Sequence, residues 1–180
     1  MMRARDTRGY TLVELVVVVG IIGLIAAVAV PQMSSNDEHR VHIAAIEFAD
    51  AMRFARGEAM RLGIPHGFSI AADTKTLQLF RLDSKTFPAT RVYDVRNPVS
   101  KQLYKIAIDN HPFAGASNVL ASANFRAACV TADDIYFDAQ GIPRCFNPET
   151  VLLESFDVKL QLDQYASAVR LDGLTGRVTV

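Results

Sequence analysis

Hydrophobic and polar positions change period along this chain. From Tyr10 to Val30 the run "YTLVELVVVVGIIGLIAAVAV" is apolar apart from Glu14. A helix over 10–30 would reach about 31 Å at 1.5 Å per residue, enough to cross the hydrocarbon core of a bilayer. After Pro31 the pattern becomes amphipathic. Val41, Ala45, Phe48, Met52, Ala55, Ala59 and Leu62 recur at alternating steps of four and three, which predicts one helical stripe facing a core. Gly63 suits a helix C-cap and Pro65 forbids continuation. The pattern predicts helix from Tyr10 to Leu62, about 80 Å long, bent or locally melted at Pro31, with Ser34 to Asp37 able to cap a restart.

Beyond Pro65 the period drops to two. "HGFSIAADTKTLQLFRLD" reads as a hairpin turning at Ala72 to Lys75, and "RVYDV", "QLYKIAI", "DIYFD", "SFDVKLQL", "SAVRLD" and "GRVTV" read as further strands. Turns fall at Asn97-Pro98, Asp109 to Pro112, Ala139 to Pro143 and Asp172 to Gly176. The expected class is α+β, a long N-terminal helix packed on an antiparallel sheet domain. The expected segments are 1–9 before the apolar run, 10–30 as the transmembrane helix, 31–63 as its amphipathic continuation, and 64–180 as the β-rich part.

Composition narrows the chemistry. The 19 Lys and Arg balance the 19 Asp and Glu, so no global field draws the chain to nucleic acid or to an acidic surface. His39 and His42 lie three apart on a helix, yet no third ligand accompanies them, and a solvated polar face is the simpler reading. Asp133, Asp134 and Asp138 straddle a strand at a spacing unlike an EF-hand loop. Arg53, Arg56 and Arg61, or Arg126, Arg144, Arg170 and Arg177, are candidate basic patches, but Glu47, Asp50 and Glu58 point to ordinary pairing on a helix face. There is no G-x-S-x-G, phosphate loop or dinucleotide fingerprint. The chain reads as a non-enzyme with no cofactor and no metal.

Glu14 is the residue out of place, since a charge in hydrocarbon costs about 2.5–3.5 kcal/mol even on the mildest insertion scale. Arg3, Arg5 and Arg8 against Asp6 would keep the N-terminus cytoplasmic and export everything after Pro31. A secretory signal cut near Ala27 to Val30, or a plain anchor, leaves the carboxylate without purpose. Cleavage between Gly9 and Tyr10 gives it one, because the new α-amine lies about one helical turn from Glu14, and the two charges can neutralise each other within or between chains.

Gly9 followed by "YTLVELVVVVGIIGLIAAVAVP" resembles the N-terminal segment of type IV pilins and type II secretion pseudopilins: a short basic leader, glycine before the cut, an aromatic first mature residue, glutamate fifth, and a later proline. Gly9, Tyr10, Glu14 and Pro31 match in order and spacing, with tyrosine where phenylalanine is commoner. The resemblance implies a prepilin peptidase that cuts after Gly9 and methylates the Tyr10 amine, and a Glu14 that contacts a neighbouring subunit's N-terminus during assembly. It implies as partners other pilin or pseudopilin subunits and inner-membrane lipid, and a chain held in the bacterial inner membrane, its C-terminal part in the periplasm, before entering a pilus or pseudopilus. "FARGEAMRLGIPHGFSI", "IYFDAQGIPR" and "LDGLTGRVTV" look like the minor-subunit subgroup. A DNA-binding minor pilin and a major pilin remain the alternatives. The same topology puts Cys129 and Cys145 where disulfides form, and a bridge is expected across the intervening strand and turn, against the alternative of two buried thiols.

Overall fold

The computed structural model describes residues 10–29, 36–71, 75–83, 85, 89–107, 114–125, 134–145 and 151–180. The chain divides into two compact units, Met1–Asn36 and Asp37–Val180.

In the first unit, helix α1 covers Leu12–Ala29. It starts two residues later than the apolar pattern because Thr11 caps it: the Thr11 hydroxyl accepts the Glu14 backbone N–H at 3.3 Å, and the Thr11 carbonyl accepts the first helical bond from Leu15 at 3.2 Å. Its 18 residues span about 27 Å at 1.5 Å per residue, short of the roughly 30 Å hydrocarbon thickness. Among the described residues no helix is long and apolar enough to cross a membrane. The expected single helix is described as two, and Val30, Pro31 and the expected cap at Ser34 and Ser35 lie outside the described residues.

In the second unit, helix α2 covers Asn36–Leu62, with Asp37 and Glu38 in its first turn and Arg61 in its last, both favourable to the helix dipole. Val41, Ala45, Phe48, Met52, Ala55 and Ala59 are buried as the stripe requires, and Ala44, Ala49 and Ala51 widen the buried face. Leu62 departs from the stripe at 45% exposed, because it is the last helical residue and the chain turns away just beyond it. Gly63 ends the helix at φ 66°, its N–H donating to the Ala59 carbonyl at 3.0 Å, in the left-handed conformation that favours glycine.

The strands are β1 (His66–Ile70), β2 (Thr76–Asp83), β3 (Thr90–Val92), β4 (Lys105–Ala107), β5 (Asn118–Phe125), β6 (Asp134–Phe137), β7 (Pro143–Cys145), β8 (Leu153–Leu162), β9 (Tyr165–Asp172) and β10 (Val178–Thr179). They form two sheets, in keeping with the expected α+β class. One has the order β3-β2-β1-β6-β7 with β4 also on β2, and the other the order β10-β9-β8-β5. All named pairings are antiparallel. The expected β1–β2 hairpin forms, with Phe68 opposite Leu79, while its tip at 72–74 and the Asp109 to Pro112 turn lie outside the described residues.

One core joins α2 to both sheets. Phe48 and Met52 from the helix, Phe68 and Phe137 from the first sheet, and Phe156, Leu160 and Val169 from the second are all fully buried within it. Phe68 bridges the sheets, its ring 6.3 Å from Phe137 and 5.4 Å from Phe156. A smaller cluster of Phe80, Leu82 and Tyr136 occupies the reverse face of the first sheet. Strands β5 and β7 were not expected. "NVLASANF" is poor in β-branched and aromatic residues, and "PRC" is three residues opening on proline.

Candidate functional site

The sequence places its strongest chemistry at the start of α1. Glu14 and Val18 are spaced four apart and so share one face of the helix, and with Leu15 and the preceding Tyr10 they line a surface groove of about 300 Å³. Glu14 is the third helical residue after the Thr11 cap, in T-x-x-E spacing, so its carboxylate also lies where the helix dipole favours negative charge. Thr11 was missed by the sequence reading, although the T-x-x-E spacing carried the signal. Around this face the helix is apolar on every side: Leu12, Val13, Leu15 to Val19, Ile21, Ile22, Leu24 and Ile25 are each at least 50% exposed. A helix hydrophobic all round is suited to lipid or to other helices, not to water. Gly9 and Pro31 lie outside the described residues.

A second convergence of polar groups ties α2 to two turns distant in sequence. The Arg56 Nε donates to the Gly141 carbonyl at 3.1 Å and its Nη2 donates to the Thr175 carbonyl at 2.8 Å. Each turn is an aspartate followed by a left-handed glycine. Asp138 accepts the Gln140 and Ile142 N–H groups at 3.0 and 2.9 Å ahead of and behind Gly141, φ 77°. Asp172 accepts the Thr175 N–H and hydroxyl at 2.7 Å before Gly176, φ 65°. These bonds hold the Asp172 carboxyl below its usual range, the Thr175 hydroxyl foremost. A Cβ on Gly176 would stand 2.6 Å from the Gly141 carbonyl and 2.8 Å from Arg56 Nε, so only glycine lets the three segments meet. Arg53 adds a bond to the Val178 carbonyl at 3.0 Å and pairs with Asp50 at 2.7 Å.

Of the candidate patch arginines, Arg53, Arg56, Arg61, Arg144 and Arg170 have partners within the fold, while Arg177 is exposed. Arg61 pairs with Glu58, which drives the Glu58 carboxyl down and the guanidinium up. Arg144 pairs with Asp138 at 2.7 Å and Arg170 with Asp157 at 2.8 Å, while Arg126 lies outside the described residues. Arg81 forks onto Asp94 at 2.8–3.0 Å and lowers that carboxyl. Tyr104 stacks on Phe54 at 5.2 Å, and its phenol is pushed up first by burial and then by Asp50 and Glu47.

His39 and His42 are both exposed, and no group of three potential metal ligands occurs among the described residues. Asp133 lies outside them, and Asp138 is committed to its turn and to Arg144. Cys145 is fully buried, opposite Ile135 on the β6–β7 ladder, while Cys129 lies outside the described residues.

Residues 4–30 match the family model described as "Prokaryotic N-terminal methylation motif". The match falls on the segment from which the pilin and pseudopilin resemblance was drawn, and supports it independently. No curated protein matches the chain. Among solved structures, the minor pseudopilin EpsH from the Type 2 Secretion System of Vibrio cholerae is 13% identical at a TM-score of 0.49, over 78% of this chain and 94% of that one. The type IV minor pilin FimU of Pseudomonas aeruginosa (strain PAO1) is 17% identical at 0.47, over 78% and 87%.

Proposed function

We propose that this chain, whose residues 4–30 match the prokaryotic N-terminal methylation motif, is a structural subunit of the minor pilin or pseudopilin kind, assembled through its N-terminal helix. The observation that carries the reading is α1 itself, apolar on every side, fully presented, and interrupted by one carboxylate one turn from Tyr10. In this reading a prepilin peptidase removes residues 1–9 and methylates the Tyr10 amine. Residues 10–30, longer than the described helix, insert in the inner membrane, 31–63 continue the helix, and 64–180 stand in the periplasm. Other pilin or pseudopilin subunits then pack on the apolar helix in a pilus or a type II secretion pseudopilus, and Glu14 offsets a neighbour's ammonium.

Two further points belong to this reading. A Cys129–Cys145 bridge is supported by the absence of any free cysteine among the described residues and by Cys129 being the one other cysteine in the chain. The DNA-binding alternative is disfavoured because Arg53, Arg56, Arg61, Arg144 and Arg170 are committed to partners within the fold. Intact-mass analysis and N-terminal sequencing of membrane fractions test the proposal. The expected chain begins at methylated Tyr10, and Gly9→Leu leaves it full length; a mature start at Val30 or Pro31 would overturn it.

A further inference from the structure

Strand β5 ends the second sheet and, among the described residues, pairs with β8 alone. Its eight residues, "NVLASANF", contain no charge, proline or glycine. Natural edge strands are usually short, charged, bulged or broken by proline, since an open row of N–H and C=O groups is a template for another strand. The other edges obey that rule. Strand β10 has two residues and is held by Arg53, β3 and β7 have three residues each, and β7 opens on Pro143. The one register irregularity of β5 comes at its last step, Asn124 to Phe125. Along β5 the inner row is Val119, Ala121 and Ala123, the alanines only partly buried against the core, while Asn118, Leu120, Ser122 and Asn124 are exposed.

The strand is also close to self-complementary. Turned antiparallel on a copy of itself about Ala121, it sets Asn118 opposite Asn124, Val119 opposite Ala123 and Leu120 opposite Ser122. Partners in this register share parity, so the inner row of one copy meets the inner row of the other and both cores continue across the join. A two-fold axis brings any charge near it against its own copy, which is destabilising in a cross-strand pair. This strand has no charge to bring. We propose that β5 is a homodimerisation edge, two copies of the chain pairing their β5 strands antiparallel about Ala121 to extend the second sheet across the pair. The occupant is a second copy rather than an unrelated strand because a foreign strand would place no demand for reversed symmetry or for a charge-free edge. Being a single strand pair, the contact is small and concentration-dependent.

Cysteine trapping in membranes, on full-length chains, tests it. Chains carrying Leu120→Cys and Ser122→Cys, with distinguishable tags, are co-expressed and mildly oxidised, the parent chain serving as blank. Directly opposed positions lie about 4.5–5.5 Å apart at Cβ and form a disulfide containing both tags. Either variant alone sets its cysteines on the diagonal, about 7–8 Å apart, and the band is lost. Both exposed positions leave the core intact. Adding Asn118→Lys and Asn124→Lys, which oppose like charges, reduces the mixed band several-fold. The proposal is overturned if no mixed disulfide forms, if single variants cross-link as well as the mixture, or if the cysteines capture a chain of different mass.

Discussion

Removing the Arg56 guanidinium tests whether the junction of α2 with the Gly141 and Gly176 turns holds the second unit together. The side chain donates two charge-assisted bonds to carbonyls, at 3.1 and 2.8 Å. Bonds of this kind contribute about 1.5–3 kcal/mol each. The Thr175 bond is solvent-exposed, so the lower end applies, and Arg56→Ala is expected to cost about 3 kcal/mol in total. For a unit of this size, 1 kcal/mol moves Tm by about 3 °C, which makes the expected drop about 9 °C in calorimetry of the detergent-solubilised chain. Arg56→Lys presents a point charge in place of a fork and should lose about half as much. Arg61→Ala removes the exposed end of a pair with Glu58 and should cost under about 1 kcal/mol. Gly176→Ala intrudes on the same guanidinium and forces a left-handed alanine. Combined with Arg56→Ala, it should therefore depart from additivity by more than about 0.5 kcal/mol. An Arg56→Ala melt within about 1 °C of the parent, or strict additivity of the pair, would refute the junction's role.

At Glu14 the cap and the charge can be separated. Glu14→Gln keeps the T-x-x-E/Q capping chemistry but removes the charge, so loss of incorporation into filaments in Glu14→Gln and Glu14→Ala alike assigns assembly to the charge, whereas normal incorporation of the glutamine variant would sink that role. Thiol labelling of the unfolded, non-reduced chain should find no reactive cysteine, and reduction should lower the melting temperature; two labelled thiols per chain would refute the bridge. Asp94, Glu58 and Asp172 have folded carboxyl pKa values below the ordinary range, so the stability they contribute is complete above the unfolded carboxylate pKa near 4 and disappears as pH falls through the lowered values. Melting curves from pH 7 to 2 should slope accordingly, and Arg81→Gln should flatten part of the acid limb.

The features legible in the sequence are those decided within a few residues of one another. Gly63 marked the end of α2 because a left-handed cap is a local backbone demand, and the helical stripe located the buried residues from Val41 to Ala59 because a single face had to be covered. The Asp138 and Asp172 turns were placed correctly for the same reason. What escaped was set by distance. That Arg56 reaches Gly141 and Thr175, 85 and 119 residues away, has no local signature, and the expected face-pairing with carboxylates holds for Arg53 and Arg61 but not for Arg56. The division into two sheets was hidden because alternation tells which side of a strand is covered without telling which strand lies beside it. Strand β5 failed a propensity test that packing overrode, since small alanines suit an inner row at a sheet's rim. At the N-terminus the pattern gave the apolar run and Glu14, while the two-residue delay of α1 followed from Thr11, whose hydroxyl competes for the first turn.

The bond between Arg53 and the Val178 carbonyl spans 125 residues. It sets an order of events during synthesis. Helix α2 is made early, with Phe48, Met52 and its alanine face needing cover, and strand β10 follows only after the other strands of both sheets. The part of the helix around Arg53 must therefore wait uncovered until the intervening strands have been made, and its closure follows their synthesis. A nascent chain that has not yet reached β10 shows proteases and chaperones the apolar surface that the folded unit hides.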